Sequence, residues 1–262
     1  MKIIVCMKQV PVQDSHLRVK SDGSWIEEEG LNYEINESDH YGLEEALRLK
    51  EKQGGEVILL AMGPDRLKES IKQGLAKGAD RAIYIDNKEF SVVDPLISAR
   101  VLAAAIQMES PDLVMTGLQS DDHGFGQTGV ILAELLGIAH ATIVMEIQAL
   151  PNGIKVRREL ESGWFQWIEL PLPAILTIQS GLNQIRYATI KGIMMAKKKE
   201  IKELTLADLN LTTSEVAAGS SGLLFRKVYV PEKSKQTEIF EGDAKETARK
   251  LADKLKNEAK VF

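Results

Sequence analysis

Residues 117–129, Gly-Leu-Gln-Ser-Asp-Asp-His-Gly-Phe-Gly-Gln-Thr-Gly, gather four glycines, two adjacent carboxylates and a histidine between two apolar runs. Asp112 to Thr116 before them reads as a short buried strand, and Val130 to Leu136 after them as a helix closed by Gly137. A strand, a glycine-rich turn and a helix start make a phosphate cradle. Backbone N–H groups point outward there, and the helix dipole adds partial positive charge. The same residues also suit a flexible connection in an α/β protein, and the loop alone leaves the two readings open.

Other candidates for chemistry are sparse. No Gly-x-Ser-x-Gly elbow, His-Glu-x-x-His or Walker A pattern occurs in the sequence. His16, His40, His123 and His140 are scattered, and only His123 falls in the glycine-rich loop. Asp121-Asp122 has the chemistry for a metal or a ribose, against a solvated turn with Asx capping as the simpler account. Cys6 ends the first apolar run and reads better as a small buried residue near a ligand than as a reactive thiol, its one nearby cation being Lys8. Lys197-Lys198-Lys199 follows Met194-Met195, and is either a solvated segment or part of an adaptable docking surface. No triad or acid–base pair assembles, so the residues support nucleotide binding better than catalysis.

The elements that must position these residues follow from composition and pattern. The chain has 262 residues, 44% hydrophobic and 27% charged, enough for a sizeable core in one large domain or a domain plus an extension. A net charge of -5 gives no reason to expect nucleic-acid or anionic-lipid binding. One cysteine excludes an intramolecular disulfide and a cysteine-rich metal site. The start, MKIIVCMKQV, is too short in its apolar run for a signal peptide. No stretch approaches the roughly 20 apolar residues of a membrane helix. We therefore expect a cytoplasmic protein without membrane insertion.

Apolar runs at 3–7, 57–62, 113–116 and, more weakly, 82–85 read as strands. Between them lie helical patterns: Leu43, Ala46, Leu47 and Lys50 before a double glycine, then Leu67, Ile71, Leu75 and Ala79 on one face, then about Val92 to Met108. Alternation of this kind predicts an α/β fold with a mostly parallel sheet, whose ligands bind at the carboxyl ends of strands. From 143 to 179 the runs VMEIQAL, GIKVRREL, WFQWIEL and PAILTIQ predict hairpins that extend or flank the sheet. After Arg186 core-like runs become few, AAGSSG reads as a linker, and DAKETARKLADKLKNEAK as an amphipathic helix with Ala248, Leu251 and Leu255 on its stripe. Such a tail is expected to pack on another chain.

The sequence resembles the β subunit of electron-transfer flavoprotein. The resemblance is carried by MKIIVCMKQV, EINESDHYGLEEALRLKE, GPDRLKESIKQGLAKGADRA, RYATIKGIMMAKKK and above all VRRELESGWFQWIELPLPAILTI, and it runs over nearly the whole chain. Later segments such as VYVPEKSKQTEIFEG are most similar to the methylotroph type. The resemblance implies a Rossmann-like, mostly parallel sheet flanked by helices over 1–190, with a partner-recognition segment at about 183–199. Residues 191–262 would then be a C-terminal arm that wraps the α subunit. It implies a non-catalytic electron carrier with AMP in this subunit and FAD held mainly by the α subunit. Its further partners would be acyl-CoA or other dehydrogenases as donors and a quinone reductase as acceptor.

Carried over by position, the nucleotide lies near Cys6, Asn36, Glu37, Ser38, Asp39, Met62, Gly117, Gln119, Ser120, Asp121, Asp122, His123, Gly124, Phe125, Gly126, Gln127 and Thr128. Dehydrogenases would dock through Ile190, Ile193, Met194 and Met195, on a segment free to project from the sheet, with Ile190 where relatives carry an anchoring leucine. Ser38 stands where many relatives carry an aromatic residue near the flavin. Two alternatives accompany this reading. A flavin-bifurcating complex would hold a second FAD in place of AMP, but such relatives tend to end the loop in Val-Gly-Pro where this chain has Thr128-Gly129-Val130. A stand-alone ATP-binding stress-type module would need neither the long arm nor the 156–178 segment.

Overall fold

The computed structural model describes residues 1–90, 94–232 and 237–261. The chain opens with β1 (Lys2–Cys6), the short pair β2 (Gln9–Pro11) and β3 (Tyr33–Ile35), and α1 (Glu37–Gln53). It continues through β4 (Glu56–Gly63), α2 (Leu67–Lys77), β5 (Arg81–Asp86), α3 (Pro95–Glu109), β6 (Leu113–Gly117) and α4 (Thr128–Leu136). Four strands follow, β7 (Ala139–Leu150), β8 (Gly153–Glu159), β9 (Phe165–Leu170) and β10 (Ala174–Ile178), then α5 (Ile190–Ala196), β11 (Ile201–Leu204) and α6 (Ala244–Asn257). The helix expected from about Val92 is described from Pro95. It is capped by Asp94, which accepts from the Leu96 and Ile97 N–H groups, and its proposed first residues lie outside the described ones.

The strands form one nine-stranded sheet in the order β11-β5-β4-β1-β6-β10-β7-β8-β9. All neighbours pair in parallel except β7 with β8 and β8 with β9. This is the mostly parallel α/β sheet that the alternating apolar runs require. Both faces are covered, as a parallel sheet demands. Ile3 and Val5 point into one core with Leu43, Leu47, Leu67, Ile71 and Leu75. Ile4 and Cys6 point into the other with Ile97, Leu102, Ile106 and Leu132.

Two regions depart from the sequence reading. Hairpins account for β7, β8 and β9, but β10 returns to the body of the sheet and lies parallel between β6 and β7. Its five residues are all buried, so a central strand buries them where a hairpin edge would leave one face wet. Residues after 190, expected to form an arm, begin by completing the main body. Strand β11 pairs with β5, and Leu204, Leu206, Leu209 and Val216 are buried in the second core. IKEL escapes a pattern search because an edge strand needs few apolar residues.

The chain falls into two compact units, residues 1–18 with 27–226, and residues 19–26 with 227–262. In the smaller unit Val19 bridges Ile26, the Val228 N–H donates to the Gly23 carbonyl, and Asp243 caps α6 by accepting from the Lys245 and Glu246 N–H groups. None of its described residues is buried, and Leu251 on the apolar stripe of α6 is half exposed. No helix among the described residues is long and apolar enough to cross a membrane.

Candidate functional site

The carboxyl ends of β1, β4 and β6 meet at a cleft. Cys6, Leu60, Met62, Pro95 and Leu102 give it an apolar wall, while Lys8, Ser120, His123, Gln127 and Thr128 supply polar groups. Of the residues expected from sequence, Asn36, Asp39, Gly117, Gln119, Phe125 and Gly126 also line it. Glu37, Ser38, Asp121, Asp122 and Gly124 do not. Cys6 is buried, and burial pushes its thiol well above the ordinary cysteine range, so it remains a neutral, unreactive part of the wall.

The first turn of α1 grips the loop from behind. Asn36 Nδ2 donates to the Gln119 carbonyl (3.0 Å), its Oδ1 accepts from the Asp121 N–H (2.9 Å), and Ser38 Oγ donates to the same Gln119 carbonyl (3.1 Å). Asp121 in turn caps α1 by accepting from the Glu37 N–H (3.1 Å). Asp39, 5% exposed, accepts from the Lys8 N–H (2.7 Å) and the Gly117 N–H (2.9 Å). Gly117 must be glycine, since a Cβ there would stand 2.2 Å from Ser38 Oγ and 2.3 Å from Asp39 Oδ1. Ser38 is buried against this main chain.

The front of the loop carries the charge. Lys8 Nζ donates to Asp122 Oδ1 (2.6 Å) and Ser120 Oγ (3.2 Å) and lies 3.2 Å from His123 Nδ1. Burial tends to raise the Asp122 pKa, but the charge and hydrogen bond of Lys8 override it and hold the carboxyl below its ordinary range. Burial, seconded by the Lys8 charge, lowers the pKa of His123 and keeps its ring neutral at pH 7. Across the cleft, α4 starts at Thr128 without a side-chain cap, leaving its first N–H groups free for an anion. Gly129 lets that helix approach closely, for a Cβ would meet Thr177 Cγ2 at 2.5 Å and Thr116 Oγ1 at 2.6 Å. An anion between the Lys8 ammonium and the α4 terminus, with a flat apolar group on the wall, suits these residues. No cluster of metal-ligating residues occurs among the described ones.

Residues 24–209 match the electron transfer flavoprotein domain model. The chain is 39% identical over 255 residues to electron transfer flavoprotein subunit beta of Methylophilus methylotrophus, covering 96% of each chain. It is 37% identical over 274 residues to that of Bradyrhizobium diazoefficiens, and 35% over 264 residues to the mitochondrial subunit of Arabidopsis thaliana, in full on both sides. This chain belongs to the electron transfer flavoprotein beta-subunit family.

Within this family member, the second candidate region is structured where sequence suggested a freely projecting segment. Ile190, Ile193, Met194 and Met195 sit on α5, capped by Thr189, and are 81%, 50%, 66% and 47% exposed. Helix α5 rests on α2 so closely that a Cβ on Gly192 would meet the Ala76 carbonyl at 2.2 Å, and Lys199 Nζ donates to the carbonyls of Leu75 and Ala79. The segment leading to it is tied to α1. Arg186 binds Glu44 (2.7 Å) and Glu51 (2.5 Å), and Asn183 Nδ2 donates to the Tyr41 carbonyl (3.0 Å). Backbone satisfaction and these ion pairs explain the order, which glycines in the sequence alone do not reveal.

Sequence reasoning missed Met7, Lys8, Leu60, Pro95, Ser98, Leu102 and Thr116 in the cleft lining. Lys8 was detectable, as the one cation near the end of the first strand. The apolar ones carried no signal, because a core leucine and a cleft-wall leucine look alike in one sequence.

Proposed function

We propose that this chain is the β subunit of a heterodimeric electron-transfer flavoprotein and has no catalytic reaction of its own. It holds AMP as a structural ligand, helps an α subunit hold FAD, and docks acyl-CoA or other dehydrogenases. Electrons pass from these to the flavin and on to a quinone reductase or the respiratory chain, in the cytoplasm. When bound, FAD supplies all the redox chemistry. The observation that carries the reading is the convergence of Lys8 and the uncapped start of α4 on one cleft, in a member of this family. AMP fits that donor set: the Lys8 ammonium and the Thr128 turn would hold the monophosphate, and Leu60, Met62 and Leu102 would hold the adenine. A nucleotide there adds stability to the folded state by linkage.

The division of labour is tested by co-expression with the flavin-binding α subunit of the same organism. The expected product is a yellow heterodimer, with the isolated β chain poorly behaved and free of stoichiometric flavin. The apolar stripe of α6, exposed in a unit none of whose described residues is buried, supports an arm that packs on that partner. A stable β monomer that binds FAD tightly by itself would refute the proposal.

A further inference from the structure

Asp39 is a buried carboxylate whose two oxygens are aimed at main chain: Oδ2 at the Lys8 N–H and Oδ1 at the Gly117 N–H, with Asn36 Nδ2 also on Oδ1 at 3.3 Å. These N–H groups come from the ends of two adjacent strands, β1 and β6. Lys8 brings the ammonium of the cleft, and Gly117 begins the glycine-rich loop. No side chain but a carboxylate accepts on both oxygens at once, because an amide would turn its NH2 toward one of the two N–H donors. We propose that Asp39, in its ionised form, is the positioning residue of the nucleotide cleft, holding the Lys8 backbone and the loop start in register so that nucleotide is retained. The inference rests on the reading of this cleft as the AMP site, and assigns Asp39 a role behind the ligand rather than on it.

The surroundings give this device a pH dependence. The groups facing the carboxylate are Cys6 and Lys8 from the end of β1, Asn36 from its own helix, with Ser38 bonded to that amide, and Gly117 from β6. Burial pushes the Asp39 pKa up to about 7, and the Lys8, Asn36 and Gly117 donors together with the Lys8 charge only partly oppose it. Below that pH the carboxyl is protonated and loses one acceptor position. Affinity for a nucleotide anion then falls as pH falls, by up to about tenfold per unit for a one-proton link. His123 works in the other direction, since protonating it at low pH would attract an anion.

The test uses the α–β heterodimer refolded free of nucleotide, titrated calorimetrically from pH 5.5 to 8.5. The probe is adenosine 5′-sulfate, whose anion does not titrate in this range, with AMP in parallel. Wild-type affinity is expected to drop below about pH 7. Asp39→Asn is expected to bind about tenfold more weakly at pH 8, with the drop abolished. Asp39→Glu, which keeps a carboxylate, should assemble and retain a pH dependence. A wild-type profile that is flat with pH overturns the inference, whether or not the asparagine variant assembles, and so does an asparagine variant with the wild-type profile. Failure of the wild type to bind either nucleotide at any pH would instead refute the AMP site itself.

Discussion

At the start of the glycine-rich loop, the polar side chains Asn36, Ser38 and Asp39 lie buried, whereas on α5 the apolar side chains Ile190, Ile193, Met194 and Met195 lie in solvent. Each group departs from the usual sorting of polar and apolar residues, in opposite directions. The polar set is tolerated because every named atom has a partner, so it builds a rigid seat for a loop that glycines alone would leave loose. The apolar set has no such compensation inside the chain, and suits a pocket on another protein, with methionines adapting to several partners. In the proposed function, satisfied burial marks the ligand seat and exposed apolar surface the docking face.

The comparison breaks most visibly at Gly117. Gly117→Ala forces Cβ into Ser38 and Asp39, and is expected to cost about 3 kcal/mol or more in urea unfolding of the heterodimer, with loss of bound AMP. Unchanged stability would mean that the seat is soft. On the other side, Ile190→Ala should cost roughly 1–3 kcal/mol of affinity for the cognate dehydrogenase. Heterodimer stability, bound cofactors and reduction by a small chemical reductant should stay unchanged. Wild-type electron transfer at sub-saturating dehydrogenase would remove Ile190 as the anchor. Arg186→Leu leaves the buried Glu44 with Arg48 as its remaining ion-pair partner and should cost about 1–2 kcal/mol of stability, less than a fully buried pair because Arg186 is partly exposed. It should also weaken dehydrogenase docking, by loosening the segment behind α5.

Stability also depends on pH, with a sign opposite to that of binding. Asp39, raised from 3.8 to about 7, adds stability that is fully present below pH 4 and lost as pH rises to 7. Carboxylates held low, such as Asp122, Glu44 and Glu109, act the other way: their stabilisation is lost as pH falls. Their window lies below that of Asp39, and the difference between wild type and Asp39→Asn from pH 4 to 7 isolates the Asp39 part. A wild type that does not lose ground to the variant over this range would show that the carboxyl is not raised.

The central strands were legible because burial on both faces leaves unbroken apolar runs, as in Ile3–Met7 and Val57–Met62, and α2 because Leu67, Ile71 and Leu75 recur on one face. β11 was not, because its pairing with β5 is set by tertiary context and its middle residues are exposed. The loop was legible as a loop, from its glycines, but its brace was not. The resemblance implies Asn36, Ser38 and Asp39 as ligand contacts; what no sequence reading offers is that Asn36 and Ser38 donate to the Gln119 carbonyl and Asp39 accepts from the Gly117 N–H. The 190–196 segment was legible in its apolar residues but not in its order, which depends on Arg186 reaching back to α1.

The account turns on which nucleotide this chain holds. The most direct measurement is acid extraction of the purified, co-expressed heterodimer, followed by chromatographic quantification of the released nucleotides. One AMP and one FAD per heterodimer is the predicted result. Two FAD and no AMP would show that the cleft holds a second flavin, and FAD alone at one per heterodimer would show that Lys8 and the start of α4 hold no nucleotide.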